Sequence, residues 1–222
     1  MNLAVLFSGG KDSTYAAWLA KKEGYKTSCL ISIISKNQDS YMFHTPSIEK
    51  TKIQAKAMGI PLIVKETKGE KEKELEDLED AIKEAIKKYK VQGVITGAIQ
   101  SVYQASRIQK ICNKLGIECF NPLWQKQELE HLNDLVKNKF KVIIIGVAAY
   151  PLDQTFLGKI INKSFIDEIR TLNKKYKISM IGEGGEFETF VLDCPLFKKP
   201  LKVKKSKITG KDHNWRMEVS VE

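Results

Sequence analysis

Three segments of the 222-residue chain gather the groups that could act on a charged substrate. The first is Ser8-Gly-Gly-Lys-Asp-Ser13. Gly9 and Gly10 let the chain turn sharply and bring its backbone up to an anion with no Cβ in the way. A helix that starts just beyond would aim its unpaired N–H groups at the same point, with the positive end of its dipole behind them. Ser8 and Ser13 add hydroxyl donors and Lys11 a cation. Asp12 suits two roles, orienting a phosphate-bound Mg2+ or capping the helix. The segment is neither G-x-x-x-x-G-K-[ST] nor G-x-G-x-x-G, so it belongs to neither of those nucleotide turns.

The second segment is Gly97-Ala-Ile-Gln-Ser-Val-Tyr-Gln-Ala-Ser-Arg107. Read as a helix after Gly97, its spacing of four and three puts Gln100, Gln104 and Arg107 on one face, with Tyr103 beside them. Arg107 is one of only three arginines, with Arg170 and Arg216. It suits charge developing on a phosphate, or simply a surface pairing with a neighbouring acid. The third segment, Gly182-Glu-Gly-Gly-Glu-Phe-Glu188, sets three carboxylates among three glycines and reads as a loop between two strands. Glu183, Glu186 and Glu188 could bind or deprotonate ammonium, hold Mg2+, or complement a quaternary ammonium group. A solvated acidic hairpin with turn-forming glycines is the plainer alternative.

These groups need a scaffold, and the apolar pattern supplies one. Leu3 to Phe7 reads as a strand that ends at the Ser8 turn, followed by a helix carrying Tyr15, Trp18 and Leu19. Strands at Cys29–Ile34, Pro61–Val64 and Gly93–Thr96 alternate with helices carrying Ile48, Thr51, Ala55 and Met58, then Leu75, Leu78, Ile82, Ala85 and Tyr89, then Ala105, Ile108, Cys112 and Leu115. The expected class is α/β, a Rossmann-like (HUP-type) parallel sheet with helices on both faces. Ligands of such sheets bind at the carboxyl ends of the strands, which selects the loops Ser8–Ser13, Ser35–Pro46 and Gly97–Ser101. After Asn121-Pro122 the pattern changes. A helix with Leu129, Leu132 and Val136, the strand Val142–Val147, a helix with Phe165, Ile169, Leu172 and Tyr176, and three short runs ending at Val221 imply a smaller α+β lobe. The expected domains are 1–123 and 124–222.

The motif S-G-G-x-D-S after an N-terminal strand resembles the PP-loop of the N-type ATP pyrophosphatases. Met42-Phe-His-Thr-Pro46, the segment from Gly97 to Arg107, Gly182 to Thr189, Leu115-Gly116, Pro122-Leu-Trp124 and Leu192-Asp-Cys-Pro-Leu196 together resemble the diphthine–ammonia ligase family, nearly end to end. The resemblance implies an ATP-pyrophosphatase domain followed by a substrate lobe. It implies an enzyme that adenylates the diphthine carboxylate of elongation factor 2 and amidates it with ammonia, releasing AMP and pyrophosphate. ATP and Mg2+ are the implied cofactors; diphthine-bearing elongation factor 2 and ammonium are the implied partners. Carried over by motif, Ser8, Gly9, Gly10, Lys11, Asp12, Ser13, His44, Gly97, Tyr103 and Gln104 bind nucleotide. Asp12 is also the metal candidate, and Arg107, Glu183, Glu186 and Glu188 are the catalytic candidates. Loop histidines are often structural, so His44 near adenine competes with a packing role. The alternatives are a PP-loop tRNA-modifying enzyme and a non-catalytic ATP-binding protein.

Composition narrows the setting. The formal charge is +10, carried almost wholly by lysine, a balance that solvates a surface or attracts an anionic macromolecule. The clearest cluster, Lys198, Lys199, Lys202, Lys204, Lys205, Lys207 and Lys211, lacks aromatics and arginine, which disfavours nucleic acid. No apolar run reaches the ~18 residues of a membrane span. The first residues lack a secretory pattern, and Cys29, Cys112, Cys119 and Cys194 form no C-x-x-C pair, which points to a cytoplasmic chain with reduced thiols and no thiolate metal site. Three scattered histidines argue against a histidine metal centre. His131 and His213 are expected to be exposed, and Trp18 and Trp124 to pack; homo-oligomerisation stays open.

Overall fold

A computed structural model describes residues 1–35, 48–68, 70 and 72–222, without the side chains of 48 and 49. The Met42–Pro46 motif, with His44, lies outside the described residues. The chain divides into two compact units, Met1–Trp124 and Gln125–Glu222.

The first unit runs β1 (Asn2–Leu6), α1 (Lys11–Lys22), β2 (Lys26–Ser35), α2 (Ile48–Met58), β3 (Leu62–Thr67), α3 (Glu74–Tyr89), β4 (Gly93–Ile95), α4 (Val102–Leu115) and β5 (Glu118–Phe120). The strands form one parallel sheet in the order β3-β2-β1-β4-β5. Alternation along each strand divides the apolar side chains between two faces. Ala4, Cys29, Ile31, Ile33, Ile63 and Val94 join Leu78, Ala81, Ile82 and Ala85 of α3 and Ile108, Ile111 and Cys112 of α4 in one core. The alternate residues Leu3, Val5, Leu30 and Ile95 are as fully buried, on the side where α1 crosses β1, β2 and β4. The chain builds outward from β1 to β3, then returns to place β4 on the other side of β1. The carboxyl ends of β1 and β4 therefore flank the point where strand order reverses, the crevice in which such sheets bind ligands.

The second unit comprises α5 (Glu128–Lys137), β6 (Lys141–Val147), α6 (Lys163–Tyr176), β7 (Phe187–Asp193), β8 (Val203–Lys211) and β9 (Asn214–Val221). Its strands form an antiparallel sheet in the order β7-β6-β9-β8. The fold is thus α/β, a Rossmann-like sheet with helices plus a smaller α+β lobe.

Several local expectations need correcting. β5 was not among the expected strands, because three residues with an exposed Glu118 carry too little pattern to read. α4 starts at Val102, capped by the Ser101 hydroxyl, which accepts from the Gln104 amide at 3.3 Å, so Gln100 precedes the helix. On α5 the buried residues are His131, Leu132 and Leu135, while Val136 is 38% exposed. The stripe is turned by about one residue from Leu129, Leu132 and Val136, which takes His131 out of solvent. His213 is half-buried, its Nδ1 2.8 Å from the Leu152 carbonyl and its ring edge-on to Tyr150. Trp18 does pack, 5.2 Å from Tyr15, but Trp124 is exposed. The three glutamates are not in a hairpin between strands: their segment joins α6 to β7, and Glu188 lies within β7.

Candidate active site

The turn from β1 into α1 is fixed from both sides. Phe7 donates to the Ile31 carbonyl at 2.8 Å and its own carbonyl accepts from the buried Ser32 hydroxyl at 2.6 Å, which ties the exit of β1 to β2. Gly9 then takes φ +79°, open to glycine and costly for other residues. A Cβ there would stand 2.3 Å from the Gln54 Oε1, whose Nε2 donates to the Gly9 carbonyl at 2.9 Å. Gln54 is fully buried, so α2 clamps the turn in its open conformation. Gln54 was not singled out in the sequence, because its partner Gly9 lies forty-five residues earlier.

Gly10 is the N-cap of α1, and among the described residues no side chain caps the helix. Asp12 is therefore not the cap but a residue of the first turn, with its Oδ2 2.8 Å from the Nζ of Lys11. Lys11 is 3% exposed, so its charge lies under the turn rather than in solvent. Ser8 and Ser13 bridge the turn: their hydroxyls are 3.1 Å apart, and the Ser8 amide donates to the Ser13 Oγ at 3.2 Å. The result is a short, glycine-lined bend at an uncapped helix N-terminus with two hydroxyls, an arrangement suited to phosphate oxygens.

Gly97 meets this turn from β4. A Cβ on it would stand 2.7 Å from the Ser13 nitrogen and 2.8 Å from the Asp12 carbonyl carbon, both backbone atoms. Only glycine lets the end of β4 lie against the first turn of α1, so Gly97 positions the two lips of the crevice. The neighbouring Thr96 hydroxyl donates to the Asn121 Oδ1 at 2.6 Å and accepts from the Ala98 amide at 3.1 Å, which sets the course of the chain after β4. Thr96 was read only as a strand end and Asn121 only as the point where the pattern changes, because their partnership joins the ends of two separate strands.

Tyr103 and Arg107 form a separate cluster on α4. The Arg107 guanidinium lies 3.5 Å from the centroid of the Tyr103 ring, and its Nη2 and Nε donate to the Glu72 Oε1 at 2.5 and 2.9 Å. The Glu72 carboxylate strengthens the hold of Arg107 on its proton, and burial raises the Tyr103 phenol. The pairing of Arg107 with a neighbouring acid is thus the arrangement present. Gln104 is half-buried and engaged through its amide in the Ser101 cap.

In the second unit, residues 179–186 form a compact turn held by two carboxylates. Glu186 accepts from the Ser179 amide at 2.8 Å and from the Gly184 amide at 2.9 Å, one bond to each oxygen. Glu128, in the first turn of α5, accepts from the Ser179 hydroxyl at 2.6 Å and the Met180 amide at 3.1 Å. Ser179 Oγ in turn accepts from the Ile181 and Glu183 amides, both at 3.2 Å. Gly182 (φ +74°) would bring a Cβ to 2.7 Å from the Phe187 carbonyl oxygen. Glu188 pairs across the sheet with Gly146, whose missing side chain makes room for it. Glu128 was not foreseen; only its place at a helix start hinted at it. Glu128→Ala should leave the Ser179 hydroxyl and Met180 amide without their acceptor, a penalty of about 1–3 kcal/mol, and speed exchange of the 180–183 amides roughly tenfold or more. Unchanged protection would mean that Glu186 alone holds the turn.

No group of three or more His, Cys, Asp or Glu side chains among the described residues is arranged to hold a metal, so the three glutamates do not form such a cluster. A phosphate-bound Mg2+ needs less, one or two carboxylates plus the phosphate oxygens, which Asp12 fits. Cys29, Cys112, Cys119 and Cys194 are all free thiols, as expected, and Cys112 and Cys119, on α4 and β5, lie close enough to shift each other's ionisation. The neighbouring Cys119 and burial push the Cys112 thiol up, while Cys112 holds Cys119 below the ordinary thiol range. Cys112 is fully buried in the core, out of reach of a substrate. No helix among the described residues is long and apolar enough to cross a membrane.

A parallel sheet with a glycine turn at the point of strand reversal defines the fold of the first unit as Rossmann-like. The chain belongs to the diphthamide synthase family: residues 1–119 match the model of the diphthamide synthase N-terminal domain and residues 127–220 that of its C-terminal domain. Among curated relatives, the diphthine–ammonia ligase of Mus musculus is 35% identical over 93% of this chain and 84% of its own. That of Homo sapiens is 34% identical over 94% and 85%. That of Saccharomyces cerevisiae is 31% identical over 89% of this chain but 34% of its own, much longer sequence.

Proposed function

We propose that this chain is an ATP-dependent ligase that joins ammonia to the diphthine carboxylate of elongation factor 2, giving diphthamide, AMP and pyrophosphate. The observation that carries the reading is the contact of Gly97 with the first turn of α1, which sets two strand ends around one uncapped helix N-terminus in a chain of this family. The curated relatives' name, diphthine–ammonia ligase, supports the substrates.

In this reading residues 1–123 form the PP-loop ATP-pyrophosphatase domain and residues 124–222 the substrate lobe. The amides of Gly9 to Ser13, with the Ser8 and Ser13 hydroxyls and the Lys11 charge, hold the β- and γ-phosphates. Gly97 leaves the α-phosphorus approachable. Mg2+, held by Asp12 together with phosphate oxygens, would neutralise charge on the leaving pyrophosphate. The diphthine carboxylate oxygen attacks the α-phosphorus, the α–β bridging bond breaks, and pyrophosphate departs. Arg107 reaches the reacting phosphate by exchanging Glu72 for a phosphate oxygen, while Tyr103 and Gln104 border the nucleotide. Glu183 or Glu188 takes a proton from ammonium, and the resulting ammonia displaces AMP from the acyl carbon and gives up its second proton to solvent. Glu186, whose two oxygens bond backbone amides, holds that loop in shape.

The test is product analysis with ATP, ammonium and diphthine-bearing elongation factor 2. AMP and pyrophosphate, formed only when the protein substrate is present, are expected. ADP as product would overturn attack at the α-phosphorus. AMP formed with bulk tRNA in place of the factor would transfer the chain to the tRNA-modifying enzymes, and ATP binding without turnover on either would leave a nucleotide sensor.

A further inference from the structure

We propose that β8 and the lysine-rich segment before it are a docking surface for an acidic, extended stretch of the protein substrate. The proposal rests on the function just argued.

Seven of the fourteen residues from 198 to 211 are lysines, and the stretch holds no acidic residue, no arginine and no aromatic. All nine residues of β8 are exposed, and β8 is an outermost strand, bonded to β9 on one side. The register explains the exposure. Ile208 faces Met217 across the pair, Ser206 faces Val219 and Val203 faces Val221. Met217, Val219 and Val221 are buried, yet Ile208 is 46% and Val203 41% exposed. The apolar face of the sheet therefore runs out onto β8 without cover, while Lys205, Lys207 and Lys211 lie along the opposite face. Lys204 pairs with Glu222, and Lys207 sits opposite Glu218.

Lysines on an edge strand are also an ordinary guard against edge-to-edge aggregation. Two features go beyond that guard. Lys198 and Lys199 precede the strand and the Lys202–Glu222 backbone pair that leads into it, where there is no edge to protect. The inward positions, where a guarding charge would sit, hold Val203, Ser206 and Ile208 instead. An edge with open N–H and C=O groups, apolar side chains on one face and lysines on the other fits an added strand with alternating apolar and acidic side chains. A second copy of this chain would bring lysine against lysine. RNA readers rely on arginine forks and stacked aromatics, and this stretch has neither. The occupant with matching chemistry is an acidic protein segment.

The experiment measures the Kd of full-length diphthine-bearing elongation factor 2 for the wild-type chain and for Lys199→Glu/Lys205→Glu/Lys211→Glu, which spares the Lys204–Glu222 pair. The variant is expected to bind the factor at least about tenfold more weakly. Its ATP binding should stay within about twofold, and the matching Lys→Arg variant should bind like wild type. Added salt should weaken wild-type binding more than that of the variant. Equal Kd values, or no wild-type binding, would overturn the docking surface. So would loss of binding to bulk RNA or to anionic phosphatidylserine vesicles while binding of the factor is unchanged. Wild-type binding of the factor without AMP formation would instead overturn the proposed reaction and leave the surface standing.

Discussion

Gly97→Ala is expected to lower kcat/KM for ATP by at least about 10²-fold and to reduce stability by about 1–3 kcal/mol. The methyl group would stand 2.7 Å from the Ser13 nitrogen and 2.8 Å from the Asp12 carbonyl carbon. Neither obstacle is the flexible end of a side chain, so either the start of α1 or the end of β4 must move. Both movements displace the amides that form the turn, and a displacement of about 1 Å in a positioning element costs on the order of 10²-fold. Urea titration gives the stability change and steady-state kinetics the activity. A variant with wild-type kinetics would show that the contact between β4 and α1 does not set the geometry of the reaction.

Ser8→Ala should have the opposite balance. Ser8 is exposed, and its hydroxyl contacts only the turn itself, the Ser13 Oγ at 3.1 Å and the Gly10 amide at 3.4 Å among the described residues. Its removal should leave the urea midpoint within about 0.5 kcal/mol of wild type, as for surface changes generally. Turnover should fall by about 10²-fold, the loss found when one donor to a transition state is deleted. Full activity would reduce the segment to an ordinary strand-to-helix turn. Together the two variants separate the shape of the turn, which Gly97 enforces, from the donors it presents, of which Ser8 is one.

Much of this arrangement was readable from the chain alone, for a physical reason. The stripe Leu75, Leu78, Ile82, Ala85, Tyr89 and the apolar runs at Leu3 and Cys29 repeat at helix and strand periods, so local pattern and tertiary burial agree there. The turn at Ser8 was readable because two glycines stand where an apolar strand run stops and a helical pattern begins. The pattern failed where burial depends on a distant partner. His131 is buried because α5 turns by about one residue relative to its most apolar face, a choice made by what packs over it. Gln54, Glu128 and the Thr96–Asn121 pair hold loops from elements far away in sequence, and no spacing rule reaches across that distance. Cys112 and Cys119 meet because α4 ends and β5 returns beside it. Arg107 was recognisable as unusual, but its pairing with Glu72, thirty-five residues earlier, was not.

The glutamate segment shows how composition can mislead about roles. Three carboxylates among glycines read as three equivalent candidates, yet the hydrogen bonds divide them. Glu186 is committed to the Ser179 and Gly184 amides, and Glu188 is set into a strand opposite Gly146. Glu128, outside the motif, shares the work of holding the loop. A glycine-rich turn leaves many N–H groups pointing inward, and carboxylates are the acceptors that satisfy them most strongly.

The most direct measurement is a crystal of the chain soaked with a non-hydrolysable ATP analogue. The β- and γ-phosphates should lie within hydrogen-bonding distance of the amides of residues 9–13 and the Ser8 and Ser13 hydroxyls, with the α-phosphorus turned toward open solvent beside Gly97. A nucleotide seated elsewhere, with the bend at Ser8–Ser13 empty, would contradict the account.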